Sequence, residues 1–155
     1  MRRKRAKQHV ILPDPKFNET LVTKFVNNLM LDGKKSKAFD IFYKAMDIIE
    51  EKTKENGLET FKTGLSNVTP AVEVRSRRVG GATFQIPTPI RDSRKLSQGM
   101  KWMIKYSRQR NEKGMENKLA AEIMAAAKEE GGAYKKKEDT HRMAEANKAF
   151  SHFRF

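Results

Sequence analysis

Arg75, Arg77 and Arg78 fall within VEVRSRRVGGATFQIP, residues 72–87, interleaved with apolar and aromatic positions. A guanidinium group clamps phosphate oxygens bidentately, and its plane, like the ring of Phe84, offers a surface on which an unstacked base can lie. The chemistry these residues suit is recognition of a polyanion, although arginine and lysine also guard exposed strand edges against aggregation. Bond-breaking chemistry finds no support elsewhere. The chain has three histidines and no cysteine, and no spacing gathers an acid, a base and a nucleophile or a metal-ligand set. Glu50, Glu51 and Glu55 alternate with lysines, the habit of a solvated helix surface rather than of paired catalytic carboxylates. Gly33-Lys34-Lys35-Ser36 resembles the end of a phosphate-binding loop, but position 28, where that motif needs glycine, is Asn28, and no strand precedes it. We therefore expect no catalysis, no metal and no cofactor.

Composition points the same way. The 155 residues include 33 Lys+Arg against 19 Asp+Glu, a formal charge of +14. Charge of that size repels itself in isolation and is relieved by polyanions. The length suits one domain with a single core. No apolar run approaches the roughly 20 residues that span a bilayer, and the basic start leads only into Val10-Ile11-Leu12 before Pro13, unlike a signal peptide. No membrane association is expected. The lack of cysteine fits a reducing compartment.

The positioning elements follow from periodicity. Gly80-Gly81 supplies the positive φ of a two-residue turn, which predicts a β-hairpin over 72–87 with Val79 opposite Ala82, Arg77 opposite Phe84 and Arg75 opposite Ile86. Before it, three helices are expected. Leu21, Val22, Phe25, Val26 and Leu29 form the first stripe, from about residue 18 or 19, with Thr23, Lys24, Asn27 and Asn28 opposite. Ala38 to Ile49 carry the second, with Ser36 as its cap and Lys34 and Lys35 at its electropositive start, where phosphate is favoured. Leu58, Phe61, Leu65 and Val68 carry the third, which Pro70 ends.

After the hairpin a fourth helix, capped by Asp92, sets Leu96, Met100, Met103, Ile104 and Ser107 on one side and Arg94, Lys101, Lys105 and Arg108 on another. Arg110 and Lys113 sit in a basic loop. Met115, Leu119, Ile123 and Ala126 line a fifth helix that Gly131-Gly132 ends, and a sixth runs from Tyr134 to about Phe150, opened by three lysines. The fold class is thus mainly α, a single domain of about six helices with one protruding β-hairpin between the third and fourth. Residues 1–12 form a basic RNA-binding arm (Arg2, Arg3, Lys4, Arg5 and Lys7), residues 13–150 the helical domain, and residues 151–155 an aromatic and basic tail that could stack on bases or latch onto protein.

The basic arm, ILPDPKF at 11–17, DGKKS at 32–36, the hairpin sequence and the terminal THRMAEANKAFSHFRF together resemble the small-subunit ribosomal protein seven family in its bacterial form, in order and over nearly the whole length. The resemblance implies a cytoplasmic, ribosome-bound structural protein. It implies binding to the 3′ major domain of 16S rRNA, an organising role in head assembly, and a place near the messenger exit channel and the exit-site tRNA. Small-subunit proteins nine and eleven are implied neighbours. By resemblance, the rRNA contacts are the arm residues together with Lys34, Lys35, Arg75, Arg77, Arg78, Arg94, Lys101, Lys105, Arg108, Arg110 and Lys113. The tRNA-facing residues are Val79, Gly80, Gly81, Ala82, Arg142 and Lys148. Gly99, Asp92-Ser93 and the ending with Phe153 and Phe155 depart from the family pattern.

Two other readings stay open on residues alone. An architectural DNA-binding protein could insert the hairpin into a minor groove, although no dimerisation face is evident and no homo-oligomer is expected. A protein-binding hub could act through the terminal aromatics.

Overall fold

The computed structural model describes residues 9–153; the expectations for Arg2, Arg3, Lys4, Arg5, Lys7 and Phe155 lie outside the described residues. Six α-helices and one hairpin occur in the expected order: α1 (Thr20–Leu29), α2 (Lys35–Thr53), α3 (Gly57–Val68), β1 (Val72–Val79), β2 (Ala82–Pro89), α4 (Asp92–Gln109), α5 (Met115–Ala127) and α6 (Gly131–Ala146), followed by a 3₁₀ turn (Lys148–Phe153).

The apolar stripes meet in one core. Phe25 of α1, Phe42 of α2 and Phe61 of α3 are fully buried with ring centroids 5.0 to 5.6 Å apart, a cluster whose tilted and edge contacts add to the burial of the rings themselves. Met100 and Met103 of α4 and Leu119 and Ile123 of α5 complete it. Trp102 is half-buried against this core.

Close approach of the helices depends on glycine at two places. A Cβ on Gly99 would lie 2.8 Å from the Thr69 hydroxyl, so the residue that weakens α4 as an isolated helix is what lets α4 close on the end of α3. On Gly57 a Cβ would lie 2.8 Å from the Met46 carbonyl oxygen, where backbone cannot give way.

Entry into α1 is held by Asp14, which is 2% exposed. Its carboxylate accepts hydrogen bonds from the N–H groups of Lys16, Phe17 and Glu19 and from the Tyr43 hydroxyl. Burial alone would raise its pKa, but the Phe17 and Glu19 amides, the Tyr43 hydroxyl and the Lys16 amide together outweigh it and hold the carboxyl below its ordinary value. The same contact, after burial itself, raises the pKa of Tyr43.

Several expected boundaries are corrected. Ser36 is not the cap of α2; the helix already begins at Lys35, and Lys34 stands at the cap position with no side-chain bond. Asp92 is the first residue of α4, with Arg91 before it. By contrast Asn56 does cap α3, accepting from the Leu58 and Glu59 N–H groups. Thr23, expected on the polar side of α1, is 5% exposed and its hydroxyl has no hydrogen-bond partner among the described residues. The glycine pair does not precede α6 but opens it: Gly131 turns the chain at φ +89° and Gly132 lies against the Tyr106 ring, where a Cβ would come within 2.6 Å. Helix α6 also ends earlier, at Ala146, because the chain tightens into the 3₁₀ turn that brings Phe150 and Phe153 onto Phe84.

Candidate nucleic-acid interface

The hairpin has the expected register, with Val79 paired to Ala82, Arg77 to Phe84 and Arg75 to Ile86. Gly80 and Gly81 take φ of +56° and +90°, the all-positive turn whose twist matches the flanking strands. Its two faces differ. Ile86 is fully buried and Phe84 lies 5.2 Å from the Phe150 ring and 5.4 Å from Phe153, so the face carrying Arg75 and Arg77 rests partly on the C-terminal turn. Arg77 Nη1 donates to the Phe153 carbonyl at 2.6 Å. Arg78, on the other face, is exposed. Phe150 and Phe153 therefore latch onto the hairpin within the chain itself.

At the hairpin base Glu73 gathers two of the expected RNA residues. Its carboxylate lies 2.6 Å from Arg75 Nη2 and 3.0 Å from Arg94 Nε, linking β1 to the first turn of α4. Burial opposes the charge of Glu73, but its hydrogen bonds with Arg94 and Arg75 prevail and the carboxyl lies below its usual range. Both arginine side chains remain more than half exposed. Nearby, the Ala71 N–H donates to Nε2 of His141 at 3.2 Å, tying α6 to the start of the hairpin.

Further along α4, Lys101, Lys105 and Arg108 are exposed in the row that the helical period requires. With Asn28, Ile104 and Gln109 they line a cleft of about 360 Å³ between α1 and α4. Arg108 also donates Nη2 to the Leu29 carbonyl at 3.1 Å, occupying an orphan acceptor at the end of α1. Lys113 is exposed.

Arg110 is placed differently: Nε lies 2.6 Å from Glu122, a residue 1% exposed, and Nη1 lies 3.4 Å from Glu112. The other Glu122 oxygen accepts the Ala133 N–H at 2.8 Å. This cluster joins α4, α5 and α6. Lys34 and Lys35 are exposed at the start of α2, Lys34 with Asp32 3.8 Å away.

Gly80, Gly81, Ala82, Arg142 and Lys148 are exposed and Val79 half-buried. Because α6 packs on β1 and the 3₁₀ turn packs on β2, the structure brings the hairpin and the C-terminal elements to one side. Glu73 and Glu122 were not singled out from sequence. Glu73 shares a strand face with Arg75 two residues on, a signal that was legible; Glu122 has none beyond lying on the apolar side of α5. Among the described residues no group of acids or histidines could hold a metal ion, and no helix is long and apolar enough to cross a membrane.

Comparison with known proteins adds an independent line. A family profile described as "Ribosomal protein S7p/S5e" matches residues 1–148. The chain is 63% identical over 155 residues to the small ribosomal subunit protein uS7 of Cytophaga hutchinsonii, covering all of both chains. It is 66% identical over 158 aligned positions to the protein of that name from Christiangramia forsetii, again over both full lengths. With that of Gemmatimonas aurantiaca it shares 58% over 154 residues, 99% of each chain.

Proposed function

The chain belongs to the ribosomal protein S7p/S5e family, and from that membership together with the geometry we propose how it acts in the small ribosomal subunit. It is a structural, non-catalytic constituent of that subunit, with ribosomal RNA and other ribosomal proteins as partners. The rRNA it binds is the 3′ major, or head, domain of 16S rRNA, and its binding organises the assembly of the head. The hairpin tip, the end of α6 and the start of the 3₁₀ turn, with Val79, Gly80, Gly81, Ala82, Arg142 and Lys148, face the exit-site tRNA, and the messenger exit channel is close by. Small-subunit proteins nine and eleven are its neighbours.

The observation that carries this reading is the separation of the cationic groups over a rigid helical body. Lys34 and Lys35 stand at the start of α2, Lys101, Lys105 and Arg108 along α4, Lys113 beyond it, and Arg75, Arg78 and Arg94 at the hairpin. Separate clamps fixed by one core hold several RNA segments at a set geometry, which suits a folded RNA junction better than a linear duplex. Phosphate contacts from such groups position the protein without reading sequence. Specificity then comes from the shape of the junction.

Filter-binding titration with a 3′ major domain fragment tests the reading. If about eight phosphates are neutralised, the logarithmic salt slope lies near six to seven. Arg75→Ala combined with Arg77→Ala is expected to lose affinity while the helical circular dichroism signal persists, and Lys101→Ala with Lys105→Ala to lower the slope by about two. Equal competition by duplex DNA at moderate salt would favour the DNA-binding reading instead.

A further inference from the structure

A second cleft, of about 430 Å³, opens beside α1, between that helix, the start of α2 and the residues that precede Asp14. Its walls include Thr23, Asn27, Lys35 and Phe39. That volume lies within the range of sites that hold one small ligand.

Each wall offers a different contact. Lys35 is exposed at the first residue of the nineteen-residue α2, whose cap residue makes no side-chain bond; the ammonium and the positive end of the helix together favour a phosphate. One turn on, the Phe39 ring is half-buried and backed by Tyr43, with centroids 5.7 Å apart and planes 31° apart, so it is a held platform rather than a swinging one. Lys35 Nζ lies 5.8 Å from that ring. Asn27 is exposed and carries both donor and acceptor. Thr23 supplies the second, independent sign of a ligand: its hydroxyl is the one buried side-chain oxygen or nitrogen among the described residues that lacks a hydrogen-bond partner. Buried polar atoms are almost always partnered, and an orphan calls for an explanation.

The remaining wall can make way. Residues 9–13 have no regular secondary structure and their backbone groups make no hydrogen bond within the described residues, while Val10 is 90% and Leu12 73% exposed. This stretch is laid over the cleft without being woven into the fold.

We propose that the cleft seats a single unstacked RNA nucleotide, its base against Phe39 with an edge hydrogen-bonded by Thr23 and Asn27, and its phosphate on Lys35 at the start of α2. The inference rests on the rRNA-binding reading above and adds to it a socket that reads a base. The residue types divide the work as base recognition requires: a ring for the face, neutral polar groups for the edge, a cation for the backbone.

The test uses the full chain and a 3′ major domain RNA fragment, with Thr23→Val and Phe39→Leu measured beside Lys101→Ala. Thr23→Val removes the hydroxyl at nearly constant shape. It is expected to unfold at the same or a higher temperature than wild type yet bind the RNA about fivefold more weakly. Phe39→Leu is expected to bind about tenfold more weakly with its salt slope unchanged, since stacking releases no counterions. Ultraviolet crosslinking of assembled subunits should attach one nucleotide to the peptide containing Phe39. Unaltered affinity in both variants, with Lys101→Ala still weakened, would overturn the socket and leave the general rRNA reading standing. A protein adduct at Phe39 would overturn it in favour of a peptide-binding cleft. Failure of the wild-type chain to prefer the RNA over duplex DNA would remove both.

Discussion

Replacing Arg110 with alanine separates two roles that a basic residue can have here. Its side chain is 25% exposed and its Nε lies 2.6 Å from the carboxylate of Glu122, which is 1% exposed. Removing the guanidinium leaves that carboxylate buried with, among the described residues, the Ala133 N–H at 2.8 Å as its one remaining hydrogen bond. Breaking a buried pair from one side costs about 3–5 kcal/mol, and since a quarter of the arginine is in water we take about 2–4 kcal/mol for Arg110→Ala. For a chain of this length that corresponds to a fall of about 4–16 °C in Tm. Glu122→Gln keeps an acceptor for Ala133 and removes the unpaired charge, so its loss should be smaller, and adding it to Arg110→Ala should recover part of the stability. Urea titration of the three variants measures these values, and filter binding under folding conditions reads the RNA side. The account expects an RNA salt slope within experimental scatter of wild type. Stability of Arg110→Ala within about 0.5 kcal/mol of wild type, together with a slope lowered by about one, would refute it and return Arg110 to the RNA surface.

Glu73→Gln should release Arg75 and Arg94 for phosphate and remove a negative charge from the same face, tightening rRNA binding and steepening the salt slope in titrations near neutral pH. Because the folded-state pKa of Glu73 is lowered, the stability it contributes is complete at neutral pH and is lost as pH falls through that lowered value; urea midpoints measured down the acid range should show this loss in wild type and less of it in Glu73→Gln. Gly57→Ala should destabilise by more than Gly99→Ala, since its Cβ meets the backbone oxygen of Met46 and the other meets a threonine side chain; overpacking of this kind costs about 1–3 kcal/mol, read from thermal melts. Truncation after Asn147 removes Phe150, Phe153 and the Phe153 carbonyl that accepts from Arg77. Hydrogen exchange should then quicken in β1 and β2 with the α1, α2 and α3 core unchanged.

The parts of the fold set by local rules were legible in the chain. Gly80-Gly81 admits one tight turn, and that turn sets every pairing in the hairpin down to Arg75 with Ile86. The 3.6-residue period put Lys101, Lys105 and Arg108 outward and Met100, Met103 and Ile104 inward, as they lie. What failed depended on distant partners. Glu122 is an unexplained acid on the apolar side of α5 until α4 supplies Arg110 and α6 supplies the Ala133 N–H. Gly131-Gly132 reads as a helix breaker until Tyr106 is seen against Gly132, and Phe153 reads as part of a tail until Phe84 is beside it. Gly99, which weakens α4 as an isolated helix, is explained by the nearness of Thr69.

The most direct test of the central claim is crosslinking of this protein to RNA inside cells, with sequencing of the attached RNA and mapping of the modified peptides. The account predicts sites concentrated in the 3′ major domain of small-subunit rRNA, joined to peptides from the hairpin, the start of α2 and the exposed row of α4. Sites scattered over unrelated RNAs, or recovery mainly of DNA, would contradict it.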